Sequence, residues 1–425
     1  MSPPVRRPWP LLLLLLAYVI AWAWIGRGFV SSNDGSHVAL ARALVVHRTT
    51  AIDPDVGLTL WVDRAERDGH HYSDRPPGTA FAALPAVWLG AQLDPSLRQQ
   101  AVESGAVLVT PAGDPFALTY TARAKKHGRA PALVQYQGTA LMIRLQAALM
   151  GLLGLFCLER WLAREQFDRR ARGAAIATVA LATLWGPYST VLFSHVTSGA
   201  LWCAMLLACA RAPERGRSAW WLAGLCGAWA IASDYLLIVP ITVQLALLVP
   251  RRGWHHLAVG ALPIAALTAA YHQAAFGAWW SIGYDHHASF EFAQSRAETF
   301  SGSPIAGLWT LVGLGHHAGM LAQSPIMFVG IAGLIAAKRW REGIALIPWL
   351  ILLALHRTPE GGATVDHRYL IPAIPIVGLG FAHAWQRWVA ASADRVRASV
   401  ALVCFVLAAL SGVLAWAHFF AWRDG

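Results

Sequence analysis

The chain has 425 residues, of which 56% are hydrophobic and only 13% charged, with a formal net charge of +11. A water-soluble domain devotes about a quarter of its residues to charge, so this balance excludes an ordinary soluble enzyme and points to a bilayer. The positive charge is almost all arginine, in short segments between apolar blocks. The positive-inside rule explains that placement, and nucleic-acid binding does not.

Taken in chain order, a basic start (Arg6, Arg7) leads into Leu11 to Ile25, which opens with six consecutive leucines. No small-x-small cleavage pattern follows, so this reads as an uncleaved first span. Further apolar blocks predict spans at 138–158, 173–193, 197–211, 218–233, 235–250, 255–274, 319–337, 342–356, 369–388 and 397–420. With 9–27 these make about eleven, near the ~17–25 residues a helix needs to cross. The basic loops are 159–172, 211–217, 251–256, 338–341 and 387–397. Every alternate short loop is basic, which predicts a cytoplasmic N-terminus and an outer C-terminus. Pro77 to Leu93 is long enough to count as a span, but counting it would invert every later loop. The same parity therefore predicts that this segment, interrupted by Pro85, lies along or dips into the outer face. The expected architecture is one all-α polytopic membrane domain over 1–425, with a large outer loop at 28–137 carrying surface helices. Arg123, Lys125, Lys126 and Arg129 do not oppose this, because long loops obey the charge rule poorly. The five cysteines, Cys157, Cys203, Cys209, Cys226 and Cys404, lie inside apolar blocks without zinc-type spacing and read as core residues.

The outer loop carries the chemistry. After the first span come Ser31-Ser32-Asn33-Asp34-Gly35-Ser36-His37, good capping residues, and then Val38, Leu40, Ala41, Leu44 and Val45 at helical spacing. This predicts an amphipathic surface helix with Asp34 at its positive end, where the dipole favours an ionised carboxylate. Asp34 is then either a general base or simply a helix cap. Further on, Asp68-Gly69-His70-His71-Tyr72-Ser73-Asp74-Arg75-Pro76-Pro77-Gly78 is a polar turn running into a double proline. Its forked guanidinium, Arg75, is placed to hold a phosphate at headgroup level, unless the segment is an ordinary surface turn.

An acid just after the first span, a surface helix, and then Tyr72-x-Asp74-Arg75-Pro76-Pro77-Gly78 resemble the GT-C superfamily of polyprenyl-phosphate-sugar glycosyltransferases. That group includes protein O-mannosyltransferases and the aminoarabinose transferases that modify lipid A. Ala275-Phe276-Gly277 through Gly283-Tyr284, and Gly361-Gly362 through His367-Arg368-Tyr369-Leu370-Ile371-Pro372-Ala373, resemble motifs of bacterial members. The resemblance implies that the early acid, here Asp34, is the catalytic base and that the basic residue before proline, Arg75, contacts the lipid phosphate. It further implies a polyprenyl-phosphate-linked sugar as donor, a lipid, glycan or protein hydroxyl as acceptor, and a bacterial inner membrane as location. Asn33 stands where many members have a second acid.

Such a transfer needs a base for the acceptor and charge stabilisation for the leaving phosphate, which arginines can supply without a metal. Arg75, Arg368 and Tyr72 are the expected donor-phosphate contacts, and Asp74, His195, Asp234 and Tyr369 further donor or acceptor contacts. A single displacement with one base predicts inversion at the sugar carbon. The histidine pairs at 70–71, 255–256, 286–287 and 316–317 do not chelate by themselves, since neighbours on a helix point about 100° apart. No cofactor is therefore expected to be required, with a divalent metal as the lesser alternative. The outer aromatics Trp279, Trp280, Tyr284, Phe290 and Phe292 could stack on a sugar or form an interfacial belt. The rival readings are a transporter or flippase, or a non-catalytic assembly protein. The first expects inverted repeats and charges buried at mid-span, and neither is evident.

Overall fold

A computed structural model describes residues 9–26, 28–103, 136–390 and 394–424. The basic start at Arg6 and Arg7, and the loop stretch carrying Arg123 to Arg129, lie outside them.

Each predicted apolar block contains helix. The long ones are α1 (Trp9–Ile25), then, after the first loop with its helices α2 (Ser32–Arg42) and α3 (Gly78–Glu103), α4 (Gln137–Arg164) and α5 (Arg169–Ala182). They continue with α6 (Ser194–Arg215), α7 (Arg217–Ser233), α8 (Ile238–Leu248) and α9 (Trp254–Phe276), followed by the shorter α10 (Pro304–Val312), α11 (Met327–Ala336) and α12 (Leu346–Ala354). The last two are α13 (Ile374–Ala384) and α14 (Asp394–Asp424). Gln137–Arg164, Ser194–Arg215, Arg251–Phe276 and Arg395–Trp422 are each long and apolar enough to cross a bilayer. Leu16–Ile25, Tyr235–Leu248 and Met327–Ala336 are shorter apolar helices. The protein is a multi-span helical membrane protein.

The later blocks depart from continuous spans. Block 319–337 is split into Met320–Gln323 and α11, with Pro325 between them. Block 369–388 runs as a 3₁₀ turn over Arg368–Ala373, then α13, then a π-helical turn over Trp385–Ala390. Proline removes a backbone donor and crowds the preceding turn, so Pro325 and Pro372 sit where the regular helix gives way. Helix α10 has no counterpart in the sequence reading. It is apolar but only nine residues long, about 14 Å, and the window that signals a span passes over it. Gly302 N–H bonds the Leu355 carbonyl at 2.8 Å, tying the start of α10 to the end of α12.

The basic loops meet at one end of the bundle. Arg164 pairs with Glu214 at 2.6 Å, Arg172 with Glu159 at 2.6 Å, and Arg339 with Glu165 at 2.8 Å. These contacts join loops 159–172, 211–217 and 338–341, as the alternation of charge requires. The first loop caps the opposite end. Pro85 does not interrupt its helix: α3 runs unbroken through Pro85 and Pro95. It lies antiparallel to the first part of α4, with Gln146 donating to the Ala82 carbonyl at 3.1 Å and the Thr139 N–H to Asp94 at 2.8 Å. Arg42, at the end of α2, ties this layer together through Asp55 and Asp94, both at 3.1 Å.

Between α2 and α3 stands a small antiparallel hairpin, β1 (Ala65–Arg67) with β2 (His70–Tyr72), Ala65 opposite Tyr72. Its outer edge receives the chain after α9: Ala65 bridges His287, and Ala288 N–H bonds the Arg64 carbonyl at 2.9 Å. That pairing carries a distant loop onto the first one.

Candidate active site

Helix α2 begins where the sequence predicts. Ser31 is the N-cap, its hydroxyl accepting from Asn33 N–H at 3.2 Å, while Asp34 closes a capping box by accepting from Ser31 N–H at 2.8 Å. Asp34 takes two more bonds at 2.8 Å, from Val30 N–H and the Ser31 hydroxyl, and is fully buried. Burial pushes its carboxyl up to about 6, although the Val30 and Ser31 hydrogen bonds pull the other way. The helix dipole therefore does not dominate here as the sequence reading expects. Asp34 caps the helix as one of its two readings requires, with both oxygens engaged by Val30 and Ser31.

The double proline after Arg75 fixes the chain's approach to α3 and leaves Ser73, Asp74 and Arg75 facing α2. Asp74 is fully buried, and its Oδ1 accepts from Ser36 on α2 at 3.1 Å. Arg75 lies between two acids, with Nη2 2.5 Å from Asp63 Oδ1 and Nε 3.3 Å from Asp74 Oδ2. Asp63 also accepts from the Ser32 hydroxyl at 2.6 Å. Burial raises the Asp63 carboxyl, but the Arg75 charge and hydrogen bond and the Ser32 hydroxyl outweigh it and hold it below the usual carboxylate range. Asp74 is pushed up to about 7, by burial first and with the Asp63 charge contributing, Arg75 only partly offsetting them.

The 287–288 pairing on the hairpin edge delivers His287, whose Nε2 lies 3.5 Å from Asp74 Oδ2. Gly283 makes this approach sterically feasible, since a β carbon there would meet the Asp74 backbone at 2.7 Å. Burial and then the Arg75 charge bring the His287 imidazole down to about 4, so it is neutral at physiological pH. His37, one turn along α2, is also fully buried and brought down to about 3 by burial, Arg75 and His195. Among the described residues, neither of its ring nitrogens has a hydrogen-bond partner.

A second set comes from the span ends. Arg368 begins the 3₁₀ turn leading into α13 and is buried, with Nε and Nη1 lacking hydrogen-bond partners among the described residues. Its nearest acid, Asp366, is 3.9 Å from Nη1 and is already committed, accepting from Tyr188 at 2.5 Å and from the Arg368 backbone N–H at 3.0 Å. The guanidinium lies over the Tyr369 ring, 5.2 Å from its centroid, and the same ring packs edge-on against His195 at 5.7 Å. His195, at the start of α6, has its Nδ1 3.8 Å from Asp234 Oδ2, beyond hydrogen-bond reach. Asp234 itself caps the turn after α7, accepting from Leu236 N–H at 3.1 Å. The two sets influence one another electrostatically: the Arg75 charge acts on Arg368, and Tyr284 feels Arg75, Asp74, Asp234 and Tyr369.

The structure thus brings Asp34, Asp74, Arg75, His195, Asp234, Arg368 and Tyr369 to one end of the bundle. Tyr72 is the exception among the residues singled out from sequence. It belongs to β2, and its ring packs on Phe276 at 5.6 Å with no bond to Arg75, because pairing opposite Ala65 turns it toward α9. Asp63 was passed over, having no motif of its own, and His37, His287 and Asp366 were given no role. Trp279 and Trp280 are largely exposed, in keeping with an interfacial belt.

Among the described residues, Asp63, Asp74 and His287 form a group whose ligating atoms lie within 4.8 Å of one another, a spacing a metal ion could use. The Arg75 guanidinium reaches both carboxylates as well.

Residues 133–279 match the family model described as dolichyl-phosphate-mannose-protein mannosyltransferase. The fold matches crystal structures of ArnT from Cupriavidus metallidurans, one bound to undecaprenyl phosphate and one in the apo state. Both superpose with a TM-score of 0.55 over 98% of this chain and 76% of that one, at 13% and 15% identity. The chain has the fold of these ArnT structures, and part of it matches a family of membrane glycosyltransferases. None of the curated proteins matches it significantly in sequence. With so little sequence in common with its structural relatives, the residues at this end of the bundle must be read on their own geometry.

Proposed function

We propose that this protein moves a sugar from a polyprenyl-phosphate donor to an acceptor hydroxyl at the outer face of a bacterial inner membrane, with inversion at the sugar carbon. The observation that carries the reading is the pair of arginines. Arg75 is held by acids, while two Arg368 nitrogens are buried without hydrogen-bond partners, an arrangement costly in an empty site and well suited to phosphate oxygens. A donor phosphate placed between them would be held from both sides, and the charge it gains as the sugar leaves would be met by fixed, largely buried cations. No metal is required on this reading. The undecaprenyl phosphate bound by ArnT supports the same class of lipid carrier here.

His195, Asp234 and Tyr369 flank Arg368 and are the groups we assign to sugar or acceptor hydroxyls, with Asp74 setting the position of Arg75. The alternation of basic loops supports a cytoplasmic N-terminus and an outer C-terminus, which puts the site on the outer side. The acid that takes the acceptor's proton belongs to the first loop. Asp34, which the resemblance favours, could do so only by surrendering bonds that start α2.

The test is to reconstitute the protein in lipid with a panel of labelled polyprenyl-phosphate sugars and a crude membrane acceptor extract. Label transfer with release of free polyprenyl phosphate is expected, and it should fall by at least ~10²-fold in Arg368→Ala, as when a preorganised charge contact is removed. A wild type that consumes none of the donors, or a product that keeps the donor's anomeric configuration, would sink the proposal.

A further inference from the structure

The arginines account for a phosphate, but other polar groups at this end of the bundle are also without partners. Asn33 and His37 stand one turn apart on the same face of α2. Asn33 Oδ1 and both ring nitrogens of His37 are buried with no hydrogen-bond partner among the described residues, and so is Nδ1 of His195 at the start of α6. The two histidines are almost wholly enclosed. His37 feels the charges of Arg75 and His195, and His195 feels that of Arg368, so these groups gather around the two arginines. Buried polar atoms are nearly always paired, and so many together mark a place for a polar ligand.

The chemistry of these atoms restricts that ligand. Burial, then Arg75 and His195, bring His37 down to about 3, so its ring is neutral at physiological pH and offers one N–H donor and one acceptor. An ammonium only donates and a carboxylate only accepts, whereas a hydroxyl does both. The carboxylates that an ammonium would seek are already engaged. Asp34 is taken by Val30 and Ser31, Asp63 by Ser32 and Arg75, and Asp366 by Tyr188 and the Arg368 N–H. Asp74 accepts from Ser36 and lies 3.3 Å from Arg75 Nε. Asp234 is the most open of them, with Oδ2 3.8 Å from His195 Nδ1, and a single hydroxyl can serve both atoms. A cationic sugar would also meet the same burial and the same guanidinium that keep a proton off His37.

We propose that Asn33, His37, His195 and Asp234 hold the hydroxyls of the donor's sugar, and that the sugar they fit is uncharged, carrying neither an ammonium nor a carboxylate. This rests on the glycosyltransfer reading above and narrows its donor to one chemical class. The arginines then hold the phosphate, and the neutral groups read the ring attached to it.

The experiment measures equilibrium binding in proteoliposomes without acceptor, for undecaprenyl phosphate alone and for the same carrier bearing a neutral hexose, a 4-amino pentose or a hexuronate. The bare carrier sets the reference, so that lipid and phosphate contacts cancel. Wild type should bind the hexose donor at least ~10-fold more tightly than either charged one, since a site built for hydroxyls penalises groups that leave its polar atoms unpaired. His37→Phe keeps a ring of similar size without nitrogens. It should weaken the hexose donor by roughly tenfold and leave the bare carrier unchanged, which also shows that the variant is folded. Asn33→Asp, an acid tolerated in the first turn of a helix, should move the preference toward the amino sugar by several-fold. The proposal is overturned by a wild type that binds either charged donor as tightly as the neutral one. It is equally overturned by a His37→Phe that binds the hexose donor like wild type, or that loses donor and bare carrier in parallel, as a merely structural residue would. An Asn33→Asp with the wild-type preference removes Asn33 from the sugar site and overturns the assignment as stated. A wild type that binds neither the carrier nor any donor fails the underlying glycosyltransfer reading instead, so the bare carrier tells the two failures apart.

Discussion

The Arg368 guanidinium lies against Gly361, so that a β carbon at Gly361 would come within 2.5 Å of Nη1. Gly361 also has φ +76°, in the left-handed region. The glycine therefore does two things at once: it lets the loop turn before the 3₁₀ segment, and it leaves the space the guanidinium fills.

Gly361→Ala should accordingly strike the donor site harder than the fold. The backbone strain alone is worth about 1–2 kcal/mol, while the displaced guanidinium should raise the KM for donor by roughly tenfold or more, since 1.4 kcal/mol of lost contact is a factor of ten. Donor titrations of the folded variant check this. A variant with wild-type KM and reduced stability would show that Arg368 does not need its present position.

The capping bonds at the start of α2 make a separable prediction. Ser31→Ala removes the hydroxyl that accepts from Asn33 N–H and donates to Asp34. Loss of an N-cap costs about 1 kcal/mol, which for a chain of this size should lower Tm by only about 1–2 °C. Turnover measured well below Tm should stay within a few-fold of wild type. A thousandfold loss of rate with an unchanged Tm would mean that the Ser31–Asp34 unit acts in the chemistry rather than in the helix.

How much of this was legible beforehand follows from the kind of signal each residue carries. The long apolar blocks and the alternating arginines are composition, which survives without any knowledge of packing. They foretold the helices and the shared end at which Arg164 meets Glu214 and Arg339 meets Glu165. Arg75 was visible because two prolines punctuate it, and Asp34 because capping is local. Asp63 was not, since its partner Ser32 is 31 residues away and neither sits in a motif. His287 looked like half of an idle pair until the Ala65 bridge carried it to Asp74. Tyr72 shows the converse: the motif named it, and strand pairing turned it away. Helix α10 was missed because nine apolar residues fall below the length that announces a span.

The buried acids give a pH signature. Asp74 is shifted up to about 7 from the ordinary 3.8, burial being the main cause. The folded state then holds a proton that the unfolded chain has already released between about pH 4 and 7. This acid's contribution to stability is therefore full below that window and is lost as pH rises through it. Neutral His37 and His287, brought down to about 3 and 4, act in the opposite sense below pH 6.5, so total stability is a poor readout. The difference between wild type and Asp74→Asn isolates the one group. The amide mimics the protonated acid, so the variant should match wild type below about pH 4 and unfold at a higher temperature near pH 8. The reverse order would show that Arg75 stabilises the Asp74 anion more than burial penalises it.

Arg75 also decides what a chelator should do. The ligating atoms of Asp63, Asp74 and His287 lie within 4.8 Å of one another, a spacing open to a divalent ion, yet a guanidinium reaches both carboxylates. Two cations in so small a buried space would repel strongly, so the arginine and a metal are alternatives rather than partners. Dialysis against EDTA should then leave donor turnover unchanged, and elemental analysis of the active protein should find no stoichiometric divalent metal. Arg75→Ala removes the resident cation and leaves two carboxylates and an imidazole, a donor set suited to zinc or manganese. Only that variant should gain stability on adding metal, by the mass-action rise in Tm expected of a ligand bound to the folded state. Turnover lost to EDTA in the wild type and restored by zinc would reverse the assignment, making Arg75 the neighbour of a metal centre instead of its replacement.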